Sequence, residues 1–288
     1  MNTGKPRKFK WRYALVGVLA FYIVLCQSCM TMRMSSKETA NYFDTLKISY
    51  VSKTAVVGEH KIHFIQTGNS DKPTLFFVHG SPGSWDAYKQ YLSDSLLLKK
   101  YRMIAIDRPG FGNSNFGNAE DLATQAQIIE DFITQVDNRQ SLVLIGHSLG
   151  GPVILKMATE HPDRFPNLVV LAGSIDPKAE TPELWRKILL SKPLRYLIPG
   201  ALRPSNDELW WLKRDLYAME PNLKHITAKV TIIHGTKDQL VPYQNMSYMN
   251  KQLVKAKSID NISIEDANHF IPWEHFDLIR NTLLRLSI

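Results

Sequence analysis

Six short, almost uninterrupted apolar runs constrain this chain more than any other feature of its sequence. They lie at 74–78, 102–106, 142–145, 168–171, 230–233 and 262–264. A strand that shows one face to water alternates apolar and polar residues. A strand of a parallel sheet covered on both faces does not. Helix-compatible stretches, such as 119–136 and 152–160, fall between most of these runs. Strand–helix alternation of this kind predicts an α/β domain, with helices packed on both faces of a mostly parallel sheet. Two earlier runs, 48–57 and 61–67, are joined through Gly58-Glu59-His60 and bring the count to eight strands.

One interval is out of step. Nearly sixty residues separate the runs at 168–171 and 230–233, where a single crossover helix would suffice. This interval carries Trp185, Trp210, Trp211, Tyr196, Tyr217 and several prolines, with apolar positions at helical spacing. About 176–226 therefore reads as a small helical cap set over the strand ends. The domain spans 46–288, long enough to bury a core without disulfides or metals. Residues 30–45 read as a tether and residues 1–29 as a leader.

Charge supports that division. The formal net charge is +8, but Lys5, Arg7, Lys8, Lys10 and Arg12 supply five of those charges before any acid occurs. Beyond them stand 30 basic against 27 acidic residues, so the domain lacks the basic stripe expected of a nucleic-acid binder. The cluster leads into the uncharged, mostly apolar run 13–26, the pattern of a secretory signal or membrane anchor. Positive residues are retained in the cytoplasm, which directs the domain outward. Both cysteines, Cys26 and Cys29, end this run and cannot form a disulfide framework for the domain. Their placement resembles a bacterial lipobox, with Cys29 as the lipidation site. An uncleaved anchor and simple secretion are the other readings.

The most informative stretch is Leu142 to Gly151, LVLIGHSLGG. It sets G-x-S-x-G between an apolar run and a helix-compatible segment, the context in which a serine on a strained turn stands above a sheet. Ser148 is the candidate nucleophile, and the Leu149 amide beside it a candidate oxyanion donor. A serine hydroxyl needs a base, and imidazole titrates near neutrality. His269, in EDANHF, takes that role. Asp238, in HGTKDQLVP, is the acid that orients it. Asp176 is a rival acid following the preceding run, and Asp266 lies near His269 but points elsewhere.

The loop HGSPGSW, residues 79–85, follows the third run and carries the second oxyanion donor. Pro82 has no N–H, which leaves the Ser81 amide. His79 and His147 read as structural hydrogen-bonders, and Asp107 in DRPGFGNS as a structural carboxylate. Trp85, Trp210, Trp211 and Phe270 are candidates for lining a substrate pocket. Metal and nucleotide motifs are absent from the sequence, so neither a metal nor another cofactor is expected.

Taken in order, HGSPGSW, DRPGFGNS, GHSLGG, HGTKD and NHF resemble the α/β-hydrolase fold family, in its subgroup with a helical cap. The resemblance spans about 46–288. It implies a serine hydrolase that cleaves a small-molecule carboxylic ester, esterase- or lipase-like, through an acyl-enzyme. C–C bond hydrolases and peptidases or amidases of the same fold are the alternatives. Relatives that open epoxides or dehalogenate use an aspartate nucleophile, and Ser148 argues against them. A non-catalytic envelope scaffold would lack one of the three catalytic residues, and all three are present.

Overall fold

The computed structural model describes residues 11–287. Of the leader's basic cluster, Lys5, Arg7, Lys8 and Lys10 lie outside the described residues. Eight strands form one sheet: β1 (Tyr50–Val57), β2 (His60–Thr67), β3 (Thr74–Val78), β4 (Arg102–Ile106), β5 (Leu142–His147), β6 (Asn167–Leu171), β7 (Lys229–Gly235) and β8 (Ser258–Ile264). Their spatial order is β1-β2-β4-β3-β5-β6-β7-β8. β2 is antiparallel to both β1 and β4, and the other pairs are parallel. The chain steps from β3 to β4 on one side and then returns to place β5 on the other. That reversal opens a crevice at the carboxyl ends of neighbouring strands, where ligands bind in such sheets.

The uninterrupted apolar runs are explained by burial on two faces. Phe76, Val78, Ile104, Leu144 and Val170 pack beneath helices Leu122–Val136 and Gly150–Glu160. Leu75, Phe77, Met103, Val143 and Val169 face a second core with Tyr88, Tyr91, Ile279 and Leu283. β8 is an edge strand, and Ser258, Asp260 and Asn261 are exposed on it. Between β6 and β7 the cap comprises helix Leu184–Leu189, the 3-10 turn Leu194–Leu197, helix Leu202–Met219 and the 3-10 turn Glu220–His225.

The segment expected to be a tether is different. Ser36–Thr45 is a helix opened by a capping box: the Ser35 hydroxyl accepts from the Glu38 amide, and the Glu38 carboxylate accepts from the Ser35 amide. Phe43 is fully buried and stacks on Tyr50 and Trp85. This segment is therefore part of the folded domain.

Helix Trp11–Ser28 precedes it. Among the described residues it is the helix long and apolar enough to cross a membrane. Its last turns are hydrogen-bonded to the cap. The Gly200 amide donates to the Cys26 carbonyl at 2.7 Å, and the Ala201 amide to the Met30 carbonyl at 2.9 Å. Gln27 Nε2 donates to the Tyr196 carbonyl at 2.9 Å, and the Tyr22 hydroxyl to the Leu197 carbonyl at 3.3 Å.

Candidate active site

β5 ends at His147, and the chain turns at once into helix Gly150–Glu160. Ser148 sits in the turn with φ +53°, a left-handed conformation that costs a non-glycine residue energy. Its amide donates to the Leu171 carbonyl at 2.9 Å, and its carbonyl accepts from the Gly151 amide at 2.9 Å. The turn is tight enough that a side chain at Gly150 would collide with the Val78 carbonyl oxygen. The loop after β3 comes equally close: a Cβ on Gly80 would stand 2.9 Å from that of Ser148.

The loops after β7 and β8 supply the other two residues. His269 Nδ1 donates to Asp238 Oδ2 at 2.7 Å, across 31 residues of sequence. Asp238 Oδ1 accepts from the amides of Leu240 (2.9 Å) and Val241 (2.8 Å). Burial would raise the Asp238 pKa. Hydrogen bonds from His234, His269 and the Val241 amide outweigh it and hold the carboxyl below its usual range. His234 is a residue the sequence reading missed. It sits four positions before Asp238 in the same motif, its Nε2 donates to the Val241 carbonyl at 2.9 Å, and that nitrogen lies 3.4 Å from Asp238 Oδ2.

The rival acids are occupied elsewhere. Asp176 accepts from the Lys178 amide and Gln244 Nε2. Asp266 pairs with Lys237 at the surface. Asp107 is fully buried and braces three segments, accepting from His63 Nδ1 (2.8 Å) and the amides of Trp85 (2.7 Å) and Asn113 (2.8 Å).

Two further histidines are held neutral. Burial, and then the neighbouring His269, pushes His147 down to about 3. Its Nε2 donates to the His269 carbonyl at 3.1 Å. Burial, and then the Arg108 charge, pushes His79 well below its ordinary value. His79 Nδ1 donates to the Gly80 carbonyl and Nε2 accepts from the Arg108 amide.

Ser148 and His269 border a cavity of about 840 Å³, together with Ser81 and Leu149. Phe270 is on its wall. The three tryptophans singled out in the sequence are not. Trp85 is completely buried, stacked on Phe43 behind the loop. Trp210 and Trp211 are half-buried on helix Leu202–Met219, which turns Leu209 and Leu212 toward the cavity instead. Those leucines are three positions apart and share a helical face that the tryptophans between them miss. Trp273 was not anticipated. It borders the cavity, packs edge-on against His147 and donates from Nε1 to the Ala87 carbonyl.

The cap is tied to the loop after β4 by a buried ion pair, and through it to the loop after β3. Arg108 Nη1 and Nη2 meet the two Glu208 oxygens at 2.7 and 2.9 Å, and both side chains are almost wholly buried. The same guanidinium donates to the carbonyls of His79 (2.8 Å) and Gly80 (3.0 Å). One helical turn earlier, the Ser205 hydroxyl accepts from Ser81 Oγ at 2.8 Å. Cys29, the candidate lipidation site, is an exposed free thiol just past the end of helix Trp11–Ser28.

This eight-stranded sheet with its strand-to-helix serine turn defines the α/β-hydrolase architecture. The profile of the alpha/beta hydrolase fold family matches residues 73–197. Among curated proteins, the chain is 26% identical to the 2-hydroxy-6-oxononadienedioate/2-hydroxy-6-oxononatrienedioate hydrolase of Escherichia coli, over 78% of this chain and 90% of that one. Epoxide hydrolase 1 of Caenorhabditis elegans is 27% identical over 38% of this chain, and the match spans only 27% of that protein. Among solved structures, a bacterial membrane phospholipase A superposes with a TM-score of 0.61 at 19% identity, covering 96% and 98% of the two chains. An esterase from Exiguobacterium antarcticum gives 0.65 at 20% identity, covering 81% and 98%. At such identities the superpositions speak for fold alone. The chain has the α/β-hydrolase fold, and the profile of that fold family matches its central part.

Proposed function

We propose that this protein is a serine hydrolase that cleaves a carboxylic ester by acyl transfer while held at a membrane by its N-terminal helix. Ser148 attacks the ester carbonyl and passes its proton to Nε2 of His269. Asp238 fixes the imidazole through Nδ1 and stabilises the imidazolium. The amides of Ser81 and Leu149 hold the oxyanion, a contribution that typically amounts to about 10²–10³ in rate per donor. His269 then protonates the departing alcohol, and water releases the acyl group by the same route. Phe270 bounds the substrate beside the base.

The observation that carries this reading is the 2.7 Å His269–Asp238 hydrogen bond beside the same cavity as the left-handed Ser148. For the leader, the reading takes an uncleaved anchor with the catalytic domain outside the cytoplasm. Cleavage before Cys29 would remove Tyr22, Cys26 and Gln27, which hydrogen-bond the cap. A second reading, C–C bond hydrolysis, is favoured by the near full-length match to the Escherichia coli hydrolase.

Turnover on p-nitrophenyl esters of graded chain length, beside vinylogous diketones and aminoacyl amides, separates these reactions. Ester turnover abolished by Ser148→Ala supports the proposal. Selective turnover of the diketone moves the assignment to carbon–carbon cleavage.

A further inference from the structure

The cap meets helix Trp11–Ser28 along its side as well as at its end. The Tyr22–Leu197 hydrogen bond lies six residues before Ser28, about 9 Å along a helix that rises 1.5 Å per residue. With that helix crossing a bilayer, the 3-10 turn Leu194–Leu197 sits roughly 9 Å below the helix's outer end. That is the depth, about 5–10 Å, at which interfacial amphipathic segments reside.

The surface at that level has the matching chemistry. Leu184 is 80% exposed and Ile188 62%, and Trp185, Leu194 and Tyr196 are exposed beside them. Single exposed apolar residues are ordinary, but five along 184–196 form a patch that marks an interaction surface. Residues 184–197 contain no acid, and Lys187 and Lys192 are exposed there, the charge that anionic headgroups attract.

The same side of the cap borders the cavity. Met32, four residues past the end of the membrane helix, borders it, and so do Thr181, Pro182 and Arg186 on the cap. We infer that residues 184–197 seat the cap in the outer leaflet of the membrane, and that the ester delivered to Ser148 is a bilayer-resident acyl lipid entering past Met32 and Arg186. The occupant of the apolar patch is the lipid surface, because the patch is continuous with the anchoring helix. The substrate half of this inference rests on the serine-hydrolase reading; the seating of the cap does not.

The test uses the full chain in phosphatidylcholine–phosphatidylglycerol proteoliposomes. Brominated lipids quench a tryptophan emission component that is present in the wild type and absent in Trp185→Phe. The double variant Leu184→Glu, Ile188→Glu alters side chains outside the cavity wall. Its turnover of a fluorogenic phospholipid in the bilayer falls at least about tenfold, the order expected when carboxylates replace apolar side chains buried in lipid. Its turnover of p-nitrophenyl acetate equals that of the wild type. Equal losses on both esters, full activity on the bilayer ester, or no quenching of Trp185 would overturn the inference. Failure of the wild type on both esters, with Trp185 quenched, would instead strike the serine-hydrolase reading and leave the seating of the cap in place. A concentration-dependent dimer that shields Trp185 from brominated lipid would assign the patch to a second copy of this chain.

Discussion

Asp238 holds the imidazole of His269 through a 2.7 Å hydrogen bond. Two acids follow adjacent strands, Asp176 after β6 and Asp238 after β7, and the motif HGTKD favours the second. The hydrogen-bond pattern agrees, since Asp238 receives His269 while Asp176 receives Lys178 and Gln244. Asp238→Asn is expected to lower kcat by about 10³–10⁴, as loss of the orienting acid does elsewhere, whereas Asp176→Asn stays near wild type. Steady-state kinetics on one ester decides between them. The same carboxylate carries a pH signature. Its pKa is lowered on folding, so its stabilisation is complete above the ordinary carboxylate value of about 4 and drains away as pH falls below it. Thermal melts of wild type and Asp238→Asn should therefore draw closer progressively as the pH is lowered below about 4. Ser148, His269 and Asp238 were legible because each lies in a short motif just after an apolar run. Trp85, Trp210 and Trp211 misled because residue type reveals size and apolarity but not which way a helix or loop turns it.

Among the elements, helix Leu202–Met219 couples the cap to the loops after β3 and β4. Ser205, Glu208, Leu209 and Leu212 fall on one face at helical spacing. The first two hold Ser81 and Arg108, and the leucines line the cavity. Removing one partner of a buried pair leaves an uncompensated charge, at a cost of about 3–5 kcal/mol. Glu208→Ala is thus expected to destabilise by that order and to lower kcat, because Arg108 then no longer fixes the Gly80 carbonyl. The paired change Arg108→Met, Glu208→Leu should recover much of the stability without recovering kcat. Denaturant unfolding and kinetics on the same preparations test both halves. Nothing in the sequence announced this pair, since Arg108 and Glu208 are 100 residues apart and neither belongs to a motif with a fixed partner.

For the molecule as a whole, the eight strands and the cap were readable because uninterrupted apolar runs have few explanations other than a covered parallel sheet. The segment 30–45 was misjudged. Its polar composition suggested a tether, while the capping box at Ser35 and Glu38 and the single anchor Phe43 fold it onto the domain. The docking of helix Trp11–Ser28 on the cap escaped detection for a related reason. Most of its bonds run to backbone carbonyls, which any sequence provides. The three candidate catalytic residues follow separate strands of the sheet, and the proposed chemistry requires His269 and Asp238 to act together with Ser148. The most direct test is fluorophosphonate labelling of the full chain with peptide mapping of the adduct. One covalent adduct on Ser148 is expected, slowed severely in His269→Ala and absent in Ser148→Ala. Undiminished labelling of Ser148→Ala, or an adduct mapped to another residue, would contradict the proposed chemistry.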